Sequence, residues 1–172
     1  MRVSLRIFAS AAALVISLGA HAQGAAAPRL PETTVETLDE KALSLPRDLP
    51  AERTLVLIAF ERDQRGALET WVSGLGLAGG KTPWMELVVV GPQNAFVHTM
   101  IVRGMRREAG DGPMRSKLQP IFSDQDAFAA SMGLSAKSAY AVVVDRAGHV
   151  IATSQGDYSA AKAQAILASV KP

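Results

Sequence analysis

The stretch Thr54-Leu55-Val56-Leu57-Ile58-Ala59-Phe60 decides the fold. It is a continuous apolar run with β-branched members, and its lack of polar alternation predicts a strand covered on both faces, near the centre of a sheet. Just downstream, Leu68, Trp71, Val72 and Leu75 recur at i, i+3, i+4 and i+7, the spacing of a helix with one buried stripe, and Asp63 is placed to cap it. Gly74, Gly76, Gly79 and Gly80 end that helix, and Trp84 to Val90 is a second apolar strand. Two strands joined through a helix are parallel with a right-handed crossover, so the segment is a βαβ unit.

The reading extends outward in both directions. Asn94 caps a helix running to about Arg107, with Val97, Met100, Ile101, Gly104 and Met105 on its inner face, before a loop at Gly110, Gly112 and Pro113. Leu118 to Phe122 is a short strand. Ser123 or Asp124 caps a short helix carrying Phe128 and Met132, which Gly133 ends. Tyr140–Val144 and His149–Thr153 flank Asp145-Arg146-Ala147-Gly148, a hairpin signal. A last helix from about Ser159 to Val170 turns Ala163, Ile166, Leu167 and Val170 inward. Trp71 and Phe128 are expected to be buried. Upstream, Leu38 to Leu43 with Pro46 and Pro50 predicts an irregular lead-in or a short edge hairpin. Residues 23–37, rich in Gly, Ala, Pro and Thr, predict a flexible lead.

The first 22 residues have a different character. Arg2 and Arg6 precede an apolar run from Ile7 to Ala20 that is too short for an ordinary membrane span, and Ala20-His21-Ala22 places small residues where a signal peptidase reads. The expected organisation is a signal peptide at 1–22, a flexible segment at 23–37 and one domain at 38–172, in a periplasmic or secreted protein. Losing Arg2 and Arg6 reduces 18 Lys and Arg to 16, equal to the 16 Asp and Glu. Global charge therefore gives no ground for a nucleic-acid partner. The chain has no cysteine, which excludes disulfides, thiol redox chemistry and cysteine metal sites.

A βαβ unit, a connecting helix, a hairpin of the form Val-Val-Val-Asp-x-x-Gly-x-Val and a closing helix is similar to the thioredoxin-like order of elements. The resemblance spans Leu38 to Val170 and implies an α/β fold of three layers, a central mixed sheet flanked by helices. Thr37-Leu38-Asp39-Glu40-Lys41-Ala42-Leu43-Ser44-Leu45-Pro46, the Thr54 strand and the hairpin Ala141–Ile151 look like the peroxiredoxin arrangement within it. A narrower resemblance, carried by Leu45–Trp71, the Tyr140-initiated hairpin ending at Gly156 and the Ala-rich last helix, is to the mitochondrial ATP-synthase assembly factor ten family. That family implies a non-enzymatic assembly or chaperone role. In thioredoxins the catalytic cysteines follow the first central strand at a helix N-terminus. The corresponding residues here are Glu61-Arg62-Asp63-Gln64, and Lys137-Ser138-Ala139 stand where the resemblance implies a cis-proline.

Several constellations are candidates for function. Glu61, Arg62 and Asp63 sit at the end of a central strand, where α/β sheets place ligands, so a small-ligand cleft there is one alternative. Gly79-Gly80-Lys81-Thr82 resembles the end of a phosphate loop but precedes a strand instead of opening a helix, which disfavours nucleotide binding. His98 with Met100, Met105 and Met114 raises a copper carrier or a non-thiol enzyme as another alternative. Helical spacing puts Met100 and Met105 on the buried stripe and His98 on another row. No zinc-ligand spacing and no Gly-x-Ser-x-Gly elbow occur. Arg103, Arg106, Arg107, Arg115 and Lys117, against Glu108 and Asp111, form a local positive patch suited to an acidic envelope protein or an anionic membrane surface. The resulting expectation is a monomeric, exported, non-redox binding protein needing no cofactor, acting in assembly or quality control of envelope proteins.

Overall fold

A computed structural model describes residues 27–171. In chain order the elements are β1 (Thr33–Glu36), β2 (Ala42–Leu45), β3 (Arg53–Ala59), α1 (Arg65–Gly74), β4 (Trp84–Val89), α2 (Ala95–Ala109), β5 (Leu118–Ile121), α3 (Gln125–Ser131), β6 (Tyr140–Asp145), β7 (Val150–Gln155) and α4 (Ala160–Val170). Short 3-10 helices at Arg62–Gln64 and Pro113–Ser116 precede α1 and β5.

The Thr54 run is the middle strand of a five-stranded sheet ordered β5-β4-β3-β6-β7. β3 runs parallel to β4, with Leu55 opposite Trp84, and antiparallel to β6, with Leu57 opposite Ala141. β4 and β5 are parallel, and β6 and β7 form the expected hairpin with Gly148 in the left-handed region at φ 94°. Alternate residues of β3 serve two separate cores, which explains its uninterrupted apolar text. Leu55, Leu57 and Ala59 pack with Leu68 and Trp71 of α1 and Ala163 and Ile166 of α4. Val56 and Ile58 pack on the opposite face with Val35, Leu45, Phe128 and Met132. Trp71 and Phe128 are both buried, as expected. The expected layers are therefore present: helices, a mixed sheet, and a second cover made of α3 and the antiparallel β1–β2 hairpin.

Three expectations need correction. Residues 27–37, the described part of the supposed flexible lead, are tied down. Leu30 is fully buried, Leu30 N–H donates to Gly148 O at 2.8 Å, Val150 N–H donates to Pro28 O at 3.0 Å, and β1 follows at once. A hairpin edge supplies the hydrogen bonds that composition alone does not reveal. Second, Asp63 does not cap α1. The Gln64 side chain instead accepts from the Phe60 and Glu61 amides at 2.9 and 3.3 Å. Third, the inner face of α2 is met only in part: Val97, Ile101 and Met105 are half-buried as expected, whereas Gly104 and Met100 are exposed. Val102, Met105 and Ala109 pack over Val88 and Leu118, while Met100 is 55% exposed. Asn94, Asp124 and Ser159 cap α2, α3 and α4 through their side chains. The signal-peptide reading of 1–22 lies outside the described residues.

Candidate functional site

The C-terminal ends of β3 and β4 are where this topology offers a site, and two glutamines occupy it. Gln64, in the turn after β3, accepts from two backbone amides through Oε1 and donates through Nε2 to Ala136 O at 3.0 Å, joining β3 to the loop before β6. Gln125, at the start of α3, donates through Nε2 to Phe60 O and to Val89 O, the latter at 2.7 Å, joining the ends of β3 and β4. Glu61, Arg62 and Asp63 stand exposed on this rim and form no ion pair among the described residues. The rim is a closed, hydrogen-bonded surface. With no cysteine anywhere in the chain, it can supply no thiolate for disulfide exchange or peroxide reduction.

The positive patch divides into two kinds of residue. Arg106 is only 31% exposed; its Nε donates to Leu38 O at 3.0 Å, and its Nη atoms lie 3.0 Å from Glu40 and 3.8 Å from Glu36. Arg115 pairs with Asp111 at 2.9 Å, donates to Arg106 O at 3.3 Å, and accepts from Leu38 N–H at 3.2 Å through its own carbonyl. These two arginines grip the buried Leu38 at the β1–β2 turn and thus pin that hairpin against α2. Arg103 and Arg107 are exposed and form no ion pair or side-chain hydrogen bond among the described residues. Lys117 is half-buried beside β5, where its backbone carbonyl accepts from Glu86 N–H at 2.7 Å.

His98 stacks on Phe122 with ring centroids 4.0 Å apart, at the mouth of a cleft of about 390 Å³ between β1 and α2. Thr33, Thr37 and Ser123 add hydroxyls to the wall, and Ser123 Oγ is buried without a partner. The thioethers proposed alongside His98 are dispersed: Met100 faces outward, Met105 packs on Val88 and Leu118, and Met114 packs with the α1 and α4 core. His149 is paired with Asp145 in the hairpin turn at 3.0 Å. Among the described residues no cluster of three His, Asp or Glu side chains is arranged to hold a metal.

One titratable group escaped the sequence reading because it sits inside an apolar strand. Glu86, in β4, is buried under an ion pair of 2.6 Å between Arg65 of α1 and Glu108 of α2. Burial pushes its carboxyl up to about 6; the Arg65 charge pulls it down, and Glu69 and Glu108 push it up.

This architecture is that of the thioredoxin-like fold, and solved structures agree. The chain has a TM-score of 0.57 at 15% identity to BsSco, a member of the Sco family of cytochrome c oxidase assembly proteins, covering 85% of this chain and 93% of that one. It has a TM-score of 0.53 at 14% identity to the exposed lipoprotein thioredoxin Etrx1 of Streptococcus pneumoniae, with coverage of 82% and 98%. For peroxidoxin BcpB of Mycobacterium tuberculosis the TM-score is 0.53 at 13% identity, with coverage of 84% and 95%. No family model matches the sequence, and no curated protein matches it at a significant level. Identities this low establish the fold and leave the function to the site.

Proposed function

We propose that this protein is an exported, thiol-independent binding domain that acts in the assembly or quality control of envelope proteins. The observation that carries this reading is the rim built by Gln64 and Gln125. The fold keeps an ordered surface where relatives of this shape place redox chemistry, and the chain has no sulfur nucleophile to put there. Without a thiol, the exposed Glu61, Arg62 and Asp63 on that surface are suited to contact with a partner. The N-terminal sequence supports export, and the structural likeness to a cytochrome oxidase assembly protein and to an exposed lipoprotein is in keeping with that compartment and role.

Two measurements test the reading. N-terminal sequencing of protein from cell fractions should find a chain beginning at Gln23 in the extracytoplasmic fraction. A photo-reactive residue in place of Glu61 or Asp63 should give one discrete adduct with an envelope protein in living cells, whereas the same group at Lys81, in the loop before β4 at the opposite end of the sheet, should not. A cytosolic chain starting at Met1, or hydroperoxide or insulin-disulfide turnover by metal-free protein, would overturn it.

A further inference from the structure

The outward face of α2 carries an arrangement that neither the fold nor the rim explains. Phe96, Met100, Arg103 and Arg107 follow one another at spacings of four, three and four residues. At about 100° per residue they fall within roughly 60° of the helix circumference, along roughly 16 Å of its length. Met105, which packs on the core, lies on the opposite side of the same helix. Phe96 is 75% exposed and Met100 55%, the two most exposed large apolar side chains among the described residues. Two acids close by in sequence are already engaged, Glu108 by Arg65 at 2.6 Å and Asp111 by Arg115 at 2.9 Å. Glu36 and Glu40 face Arg106 on the other flank. Arg103 and Arg107, which form no ion pair among the described residues, therefore stand in line with two exposed apolar groups.

We infer that this face of α2 docks on an anionic lipid surface, with the Arg103 and Arg107 guanidinium groups on lipid phosphates and the Phe96 and Met100 side chains inserted below the headgroups. The shape favours a planar partner over a protein one. Phe96 and Met100 line neither of the clefts flanking the helix, so the apolar half of the row has no pocket to receive a protruding side chain; Arg103 stands at the edge of the cleft shared with Glu36, Glu40 and Arg106. Binding at an interface draws on buried apolar area and on attraction of basic residues to anionic headgroups, and this row supplies both, the apolar pair towards the helix N-terminus and the arginines towards its C-terminus. The guanidinium fork also matches phosphate geometry. The inference goes beyond the rim's binding role and stands on the described structure alone, so it survives if the rim proves to have no protein partner.

The test is flotation of protein lacking residues 1–22, which keeps every described residue, with vesicles of equimolar phosphatidylglycerol and phosphatidylcholine or of phosphatidylcholine alone. Protein should float with the anionic vesicles only, and should release as salt rises from about 0.01 M to about 1 M, where the screening length falls from roughly 30 Å to 3 Å. R103Q/R107Q should partition roughly 30-fold less well, from about one kcal/mol per arginine near an anionic surface. F96S/M100S should also lose binding. K81Q/K137Q, with the same charge change elsewhere, should bind like the parent. Circular dichroism should show all variants folded, since every altered side chain is exposed. Failure of the parent to float, equal losses in the two charge variants, or unaltered binding by F96S/M100S would each overturn the inference. Capture of an acidic protein through this face in the absence of vesicle binding would overturn it in favour of a protein partner.

Discussion

Replacing Arg106 with Gln should destabilise the protein by about 2 kcal/mol, although a patch of arginines at a helix end looks dispensable in the sequence. The Nε bond to Leu38 O is a charge-assisted hydrogen bond on a side chain only 31% exposed, and such bonds contribute roughly 1.5–3 kcal/mol. The 3.0 Å pair with Glu40 adds roughly 0–1 kcal/mol, because Glu40 is 69% exposed and water screens it; Glu36, at 3.8 Å, adds less. Partial rescue by solvent brings the total to about 2 kcal/mol, which in a domain of this size lowers the melting temperature by roughly 4–8 °C. Leu38 is buried and its amide is already held by Arg115, so freeing its carbonyl loosens the β1–β2 turn rather than α2 itself. Scanning calorimetry on R106Q and on R103Q/R107Q checks this, with hydrogen exchange at Leu38 as a local readout. The double variant should melt within about 0.5 kcal/mol of the parent, since its side chains are exposed. Equal melting of R106Q and the parent, or a larger loss in R103Q/R107Q, would refute the division of the patch.

Glu86 makes stability depend on pH. Its folded carboxyl titrates at about 6 against an ordinary 4.5, so the folded state keeps a proton that the unfolded chain has released; stability therefore falls as pH rises from about 4.5 to about 6. E86Q should be more stable than the parent by up to about 2 kcal/mol near pH 8 and lose that advantage near pH 4, and a gap that does not vary with pH in paired thermal melts would contradict the assignment. Gly74→Ala should destabilise by about 1–3 kcal/mol despite the better helix propensity of alanine, because its Cβ would stand 2.7 Å from the Tyr158 ring, which packs edge-on against Trp71; thermal melting decides the sign. Gln64→Ala should cost about 1–3 kcal/mol and speed amide exchange at Phe60 and Glu61, and unchanged exchange there would show that water replaces the side chain at no loss.

The elements with a single strong period were legible. β3 showed itself by an unbroken apolar run, α1 by its stripe, and the β6–β7 hairpin by Asp145 to Gly148. α2 was found with Val97, Ile101 and Met105 on the correct side but Met100 wrongly turned inward, because Phe96, Val97, Met100, Ile101, Val102 and Met105 spread around the helix and no single stripe stands out. The packed side was chosen by the neighbours, Val88 and Leu118, which lie far off in sequence. The same limit hid the division of the arginine patch, since Arg106 is distinguished by a carbonyl 68 residues away. Glu86 was hidden because one acid in an apolar strand looks like a strand residue until α1 and α2 close over it. At the rim, the position of Glu61 to Asp63 was foreseen. The residues that tie the rim together are the neutral Gln64 and Gln125, which carry no motif.

A clasp made from two carboxamides has a property that a clasp of charges or thiols lacks. Neither Gln64 nor Gln125 has a side-chain proton to gain or lose across the range in which a protein stays folded, nor an electron pair open to mild oxidation. The two strand ends and the loop that they stitch together keep their relative positions through swings of acidity, salt and oxidant that would open an ion pair or convert a dithiol. The backbone that carries Glu61, Arg62 and Asp63 is thus held in place by groups that bear no charge of their own.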